Sequence, residues 1–540
     1  MSGENVAQVI LRQLAAWGIK NIYGFIGDDV FYLFDAIAKQ QQISLYQVRH
    51  EETAALMASA EAKISGKAGV CIADGGPGFI HLLNGLADAC IDRVPVLAIT
   101  GQVSRKDIGT NAKQYLNQQV IMAAISGYSE IITDPEATVK VMDLAYRTAL
   151  SNNTVSHISV PMDIFSMPCN LTTVPSAPYL TTSPASGPEV VNGALEKIRK
   201  SQKPVILVGE GGRNSGELVS ELAVRCGAGV ITTLAGMGTV SKSHPLYIGG
   251  LGHAGSPAGS KLLSEADLCI IVGANWWPSQ YVPENIPTIE INNKPANIGS
   301  SSPYAYGLIG DSRSILSSLI AGLEKKENHD WRKRIQEETR FWLSQLEQEA
   351  GTVSVPIHPA AVIRALEQVL SEEAYICLDT GDNTVWFGRV FRPNNHRVLI
   401  SGKWRTMGFA LPAALAAKIN CPGRQVIALA GDGGFSMNMA DFLTAVKYEL
   451  PVVVVILNNR SLSMEKNKME TGGLHPVATP LLNPDFALYA KSCGGEGFSV
   501  TKTEDLVNVF QQSLNQKKPA IIDVIVSAMP VPGTKFPAPS

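Results

Sequence analysis

Residues 426–459 constrain the fold of this chain more than any other stretch. Residues 426–430 are a short, wholly apolar run, the pattern of a strand buried on both faces of a parallel sheet. Gly431-Asp432-Gly433-Gly434 follows. Residues 439–450 then carry apolar side chains at helical spacing until Pro451 stops them. Residues 452–457 are a second buried strand, and Asn458-Asn459 closes the stretch. The spacing predicts one βαβ unit with a right-handed crossover between neighbouring parallel strands. Asp432 and Asn459 then fall just past the carboxyl ends of the two strands, the edge at which open α/β sheets bind ligands. A carboxylate and an amide oxygen converging there, beside a Gly-rich turn, suit a hard cation and a diphosphate.

At 540 residues the chain is too long for one hydrophobic core and calls for about three domains. Three α/β segments follow one another, at 1–169, 188–325 and 352–526. Strands are expected at 22–25, 45–48, 69–73 and 94–100 in the first segment. In the second they are expected at 205–208, 230–233, 268–272 and 288–291. The expected class is therefore α/β, with three doubly wound parallel-sheet domains. Residues 170–187 read as a linker and 325–351 as a charged helical connection. Residues 527–540, with four prolines, read as a tail extended over the surface. The 45% hydrophobic and 17% charged fractions are those of a well-packed globular enzyme, and the net charge of −3 gives no signal for nucleic acid or membrane. The eight cysteines are scattered, with no Cys-x-x-Cys pair, which points to buried thiols in a reducing, cytoplasmic setting without disulfides or zinc. The first 20 residues form an amphipathic helix with Glu4 rather than a signal peptide, and no apolar run approaches the ~18 residues of a membrane span.

Three further turns lie at predicted strand ends. Arg49-His50-Glu51-Glu52 links a strand to an alanine-rich helix, where Glu51 taken alone fits a first-turn carboxylate favoured by the helix dipole. Asp74-Gly75-Gly76-Pro77-Gly78 opens a helix at Phe79 and permits close backbone approach. Asp379-Thr380-Gly381-Asp382-Asn383-Thr384 follows another strand. Arg405-Thr406-Met407-Gly408-Phe409-Ala410-Leu411-Pro412 is a fourth polar-to-apolar junction, whose Met taken alone is core filler.

Taken with residues 426–459, these stretches resemble the thiamine-diphosphate-dependent enzymes. The pyrimidine-binding, middle and diphosphate-binding segments run in that family's order over the whole chain. The resemblance implies that Asp432, Asn459 and the carbonyl of Ser461 hold Mg2+ against the coenzyme's diphosphate. Gly381, Asp382, Asn383, Thr406, Gly431, Gly433, Gly434 and Leu462 would line the coenzyme pocket. Met407 aligns with the apolar wedge that bends the coenzyme into a V, an orientation effect. Glu51 becomes the catalytic candidate. A carboxyl hydrogen-bonded to the aminopyrimidine favours the tautomer that can take the thiazolium proton, and burial would help keep that carboxyl protonated. Glu52 is left as helix surface.

Within the family the likeness is to pyruvate oxidases, then acetolactate synthases. It is carried by Arg49-His50-Glu51-Glu52, Ser65-Gly66-Lys67, Val94-Pro95-Val96-Leu97-Ala98-Ile99, Thr384-Val385-Trp386 and Gly431 to Met437. It implies decarboxylation of a 2-oxo acid, pyruvate by default, with oxidation of the enamine. Non-oxidative acyl transfer or carboligation is the alternative, and a non-catalytic coenzyme-binding protein the third reading. FAD stays open against a nucleotide-free middle segment. Gly209-Glu210-Gly211-Gly212, the Gly-rich loop 249–255, Gly273-Ala274-Asn275-Trp276-Trp277-Pro278 and Glu290-Ile291-Asn292 fall where flavin contacts are expected, but Asn292 replaces an acidic residue. The substrate side departs from the family at Lys113-Gln114-Tyr115 and at Met464, Glu465 and Lys468, whose roles stay open. A lysine there could pair with an anionic substrate group or be an exposed side chain. The resemblance also implies a homodimer at minimum, or a homotetramer built from two dimers, with each coenzyme shared between chains.

Overall fold

The computed structural model describes residues 4–175, 185–274, 281–299 and 305–535. Three six-stranded sheets follow one another, and every ladder between named strands is parallel. The first holds β1 (Asn21–Gly24), β2 (Ser44–Gln47), β3 (Gly69–Ala73), β4 (Val96–Gln102), β5 (Tyr128–Ile131) and β6 (Val155–Pro161), in the order β2-β1-β3-β4-β6-β5. The second holds β7 (Pro204–Val208), β8 (Gly229–Thr232), β9 (Tyr247–Gly250), β10 (Leu268–Val272), β11 (Thr288–Asn292) and β12 (Ala305–Ile309), in the order β12-β11-β10-β7-β8-β9. The third holds β13 (Tyr375–Leu378), β14 (Arg397–Ile400), β15 (Val426–Gly431), β16 (Val453–Asn458), β17 (Glu496–Val500) and β18 (Ala520–Ile525), in the order β14-β13-β15-β16-β18-β17. The first and third sheets therefore share one winding. The second has the 3-2-1-4-5-6 order of dinucleotide-binding sheets when numbered from its own first strand. The central strands β3, β4, β7 and β10 are buried at every residue, which is why they read as unbroken apolar runs rather than alternating ones.

The first and third segments pack directly on one another. The helix Glu51–Ser65 buries five alanines, and the helix Ala410–Asn420 buries five more in the same core. Such small side chains let helix axes approach closely. Gly85, on the helix Pro77–Ile91, completes the nest, since a Cβ there would lie 2.5 Å from that of Ala55. A buried charge cluster crosses the same boundary. Lys63 Nζ lies 3.0 Å from Asp88 and 2.8 Å from Asp92 and donates to the Ile400 carbonyl, while Asp92 accepts the backbone N–H groups of Gly402 and Lys403.

Several expectations change. The helix expected at 439–450 starts earlier and breaks: Asp432–Asn438 is helical, Met439–Asp441 is a 3₁₀ turn, and Phe442–Lys447 resumes. The break turns Asn438 and Asp441 inward, where both are buried and hydrogen-bonded. The helix expected to open at Phe79 opens at Pro77, a residue whose fixed φ suits a first turn. The tail is not simply draped over the surface. Val531 belongs to the core, as does Val526 of the third segment, and Met529 packs against it. The charged connection is the helix His329–Ala350, and Trp331, Ile335, Trp342 and Leu346 form its buried stripe. No helix among the described residues is long and apolar enough to cross a membrane.

Candidate active site

The winding of the third sheet reverses between β13 and β15, and a cleft opens at their carboxyl ends. It encloses about 670 Å³ of empty space, part of it open to solvent. Gly381, Asp382, Asn383, Met407, Gly431, Asp432, Gly433, Gly434, Asn459, Ser461 and Leu462 all line it. Residues up to 81 positions apart, from Gly381 to Leu462, are thus gathered by one sheet edge. The far wall is apolar, made by Pro359, Trp386, Leu457, Val526 and Met529. The tail residues of this wall carry no motif, so nothing in the sequence announced them.

The residues at the cleft floor fit a hydrated cation and a diphosphate. Asp432 is buried, and burial pushes its carboxyl above the usual range against hydrogen bonds from Asn483 and nearby backbone N–H groups. No lysine or arginine pairs with it among the described residues. A buried carboxylate without a counter-charge is a costly arrangement that a divalent ion would relieve. Asn459 Oδ1 accepts the Ser461 N–H at 3.1 Å, which folds the turn, and both residues line the cleft together with Asp432. The Ser461 hydroxyl is buried without a partner among the described residues. Gly434 admits no side chain, because a Cβ would lie 2.4 Å from Asp379 Oδ1. Burial also pushes Asp382 up to about 6, with Asn467 and Lys468 pulling the other way.

Asn483 was invisible in the sequence, 51 residues from the carboxylate it serves. Its Nδ2 donates to Asp432 Oδ2 at 2.7 Å and to Asn458 Oδ1 at 3.0 Å, and Asn458 in turn donates to Asp523 at 2.9 Å. This relay ties β18 and β16 to the candidate metal ligand.

Met407 sits in a turn gripped from three sides. Asp379, pushed up to about 6 by burial, accepts the N–H groups of Thr380, Gly408 and Ala410. Asn438 donates to the Gly408 carbonyl. Thr406 does not line the cleft. Its hydroxyl donates to the Met407 carbonyl and accepts from Asn84, an amide that also meets Glu52 and Trp404.

Glu51 lies elsewhere. It opens the helix Glu51–Ser65, is buried, and its Oε2 is 2.8 Å from His81 Nδ1. Among the described residues, none of the first segment lines the cleft that holds Asp432. The edge around Glu51 also carries Asp74, whose Oδ1 accepts the Asp29 N–H. Burial, then Asp74 and Asp28, push Asp29 up to about 6, and Lys113 supplies the opposing charge. Tyr115 is half-buried. Met464 and Glu465 line the cleft, and Lys468 pairs with Glu465 at 3.2 Å, so that lysine is not a free cation.

In the second sheet the order reverses between β7 and β10. Gly209, Gly211 and Gly273 meet there with no room for a Cβ on any of them. The loop at 249–255 turns against the helix Asp382–Val390, where a Cβ on Gly388 would lie 2.2 Å from the Ala254 carbonyl. Asn292 Oδ1 is taken by Lys294 N and Asn297 Nδ2, whereas Glu290 Oε1 is buried with no partner among the described residues. Asn275, Trp276, Trp277 and Pro278 lie outside the described residues.

Comparison with known proteins agrees with this geometry. Models described as the N-terminal TPP binding, central and C-terminal TPP binding domains of thiamine pyrophosphate enzymes match residues 4–121, 191–319 and 379–524. The chain is 35% identical over 537 residues to a Bacillus subtilis (strain 168) protein named as thiamine pyrophosphate-containing, covering 99% of this chain and 94% of that one. It is 29% identical to the pyruvate oxidase of Lactiplantibacillus plantarum, covering 98% and 89%. It is also 29% identical to the large subunit of acetolactate synthase isozyme 1 of Escherichia coli (strain K12), covering 97% and 94%.

Proposed function

The chain belongs to the thiamine-pyrophosphate-dependent enzymes, and on that premise we propose that it decarboxylates a small 2-oxo acid, pyruvate first, and oxidises the remaining fragment as a pyruvate oxidase does. The observation that carries this reading is the convergence of Asp432, Asn459, Ser461 and Met407 on one cleft with an apolar far wall. Asp432, Asn459 and the Ser461 carbonyl would hold Mg2+ against the diphosphate, with Gly381, Asp382, Asn383, Gly431, Gly433, Gly434 and Leu462 around it. When bound, thiamine diphosphate would supply a carbon nucleophile for the 2-oxo carbonyl and accept the electron pair left as CO2 departs. Met407 would set the bend of the coenzyme, and Thr406 would steady the Met407 backbone. Trp386, Val526 and Met529 would exclude water and leave room for the small apolar end of a 2-oxo acid.

Glu51 would move a proton at the pyrimidine end. Because it lies outside the cleft of its own chain, it would serve a partner's coenzyme, which makes a homodimer the smallest active unit and a tetramer of two dimers its extension. Exposed apolar side chains support burial against a second copy: Phe31, Tyr32 and Val120 on the first segment, and Met437, Leu482 and Leu488 on the third. The strand order of the second sheet and the unpartnered Glu290 oxygen support FAD there.

Equal identity to an acetolactate synthase supports a second reading, in which a second 2-oxo acid receives the fragment. Purified protein with thiamine diphosphate, Mg2+ and a panel of 2-oxo acids separates the two. A flavin absorption band that bleaches on adding pyruvate, with CO2 released, is expected. CO2 release with acetolactate formed and no acceptor reduced would favour the synthase. Coenzyme binding with no turnover on any member would leave a non-catalytic binding protein.

A further inference from the structure

We propose that Asp441 is a positioning residue for Glu51, holding the first turn of its helix in place from another segment of the chain. The inference rests on the reading of Glu51 given above. Asp441 ends the 3₁₀ turn that interrupts the helical run after Asp432, and it is buried. Its Oδ1 accepts the Arg49 N–H at 2.7 Å and its Oδ2 accepts the Thr53 hydroxyl at 2.7 Å. Those two donors lie two residues before and two residues after Glu51. One carboxylate therefore clamps the chain on both sides of the glutamate, across a separation of almost four hundred residues. Thr444 donates a third hydrogen bond to Oδ1 and fixes the carboxylate itself.

The same element grips the incoming strand. Tyr448 hydroxyl accepts the Gln47 N–H at 2.7 Å, and Lys447 Nζ donates to Gln47 Oε1 at 2.6 Å. His81 touches the Glu51 carboxylate, whereas Asp441 touches only its flanks, so Asp441 sets where the helix start lies. A buried carboxylate is an expensive way to fill space, and no lysine or arginine pairs with this one among the described residues. Its acceptors are matched to the donors that flank Glu51. Loss of both bonds would free the first turn to drift, and a misplacement near 1 Å costs about 10²-fold in rate.

The test uses the full-length protein. Asp441→Ala should lower kcat about 10²-fold while calorimetry shows Mg2+-dependent coenzyme affinity unchanged. Amide hydrogen exchange in residues 45–55 of the coenzyme-free protein should quicken. Asp441→Asn should recover most of the rate, because its amide can accept from Arg49 and donate to the Thr53 hydroxyl. The Glu51→Gln, Asp441→Ala double variant should be no slower than Glu51→Gln alone, since both changes act through one group. If Asp441→Ala does not fold, Thr53→Val removes one clamp bond and should show the same non-additivity with Glu51→Gln. An unchanged kcat in the clamp variant, or losses that multiply in the double variant, overturns the inference and leaves Glu51 in its role. Near wild-type turnover by Glu51→Gln alone overturns the role of Glu51 and the inference with it.

Discussion

At Asp432, a residue that lines the cleft, one carboxylate oxygen is held by the Asn483 amide, and nearby backbone N–H groups also bond the carboxylate. Partners that orient a metal ligand are worth about 10–100-fold in metal affinity. Asn483→Ala should weaken Mg2+ binding by about that factor, measured by calorimetry with thiamine diphosphate present. Unchanged affinity would mean that Asp432 needs no such support. At Glu51 the exchange of one carboxyl for an amide should cost about 10²–10⁴-fold in kcat, the usual scale for a lost acid–base group. Coenzyme affinity should stay largely intact in steady-state and calorimetric titrations. Asp432 and Asn459 were legible in the sequence because each follows a recognisable strand and the pair defines a sheet edge. Asn483, His81 and Asp441 were not, because each acts on a residue at least 30 positions away and belongs to no motif of its own.

The element that gathers most of the candidate site is the βαβ unit from β15 to β16, and its strands were readable from apolar runs alone. Its helix was not. A periodic apolar pattern cannot show that Met439–Asp441 tightens to a 3₁₀ turn, since the cause is the burial of Asn438 and Asp441 against distant loops. The tail after residue 526 failed for a similar reason: prolines suggested exposure, while Met529 and Val531 found an apolar wall to join. The alanine-rich helix after Glu51 was legible as a helix, but its nesting with Gly85 and with the helix Ala410–Asn420 was not. Gly85→Val should overpack that nest and lower unfolding stability by about 1–3 kcal/mol, read from urea denaturation midpoints. A midpoint equal to that of the unaltered chain would show that the helices can part without cost.

For the molecule as a whole, acid is a testable stress. His157 is fully buried between Thr100 and Ser129, and burial pushes its pKa down to about 3. Below about 6.5 the unfolded chain binds a proton there that the folded chain refuses until about pH 3. The contribution of this group to unfolding free energy should therefore fall with falling pH in that window, by up to about 1.4 kcal/mol per pH unit, while the raised carboxyls of Asp29, Asp379 and Asp382 act in the opposite direction. His157→Gln should remove that contribution, so that the denaturation midpoint falls less, or rises more, on acidification than in the unaltered chain, and an identical slope would exclude the histidine as a source. Assembly has its own check. Glu51→Gln and Asp432→Ala chains, each inactive alone, should regain activity when co-expressed, because a mixed dimer holds one intact site. Purified mixed dimers without activity would rule out a shared site. The wall formed by Val526 and Met529 has a practical side: an exopeptidase that trimmed the chain back past those residues would open the cleft before any sheet lost a strand. Ageing of a preparation would then show as fading turnover together with a falling melting temperature, since Val526 and Val531 leave the core, and a fusion placed close behind Val531 would pull on the candidate cleft itself.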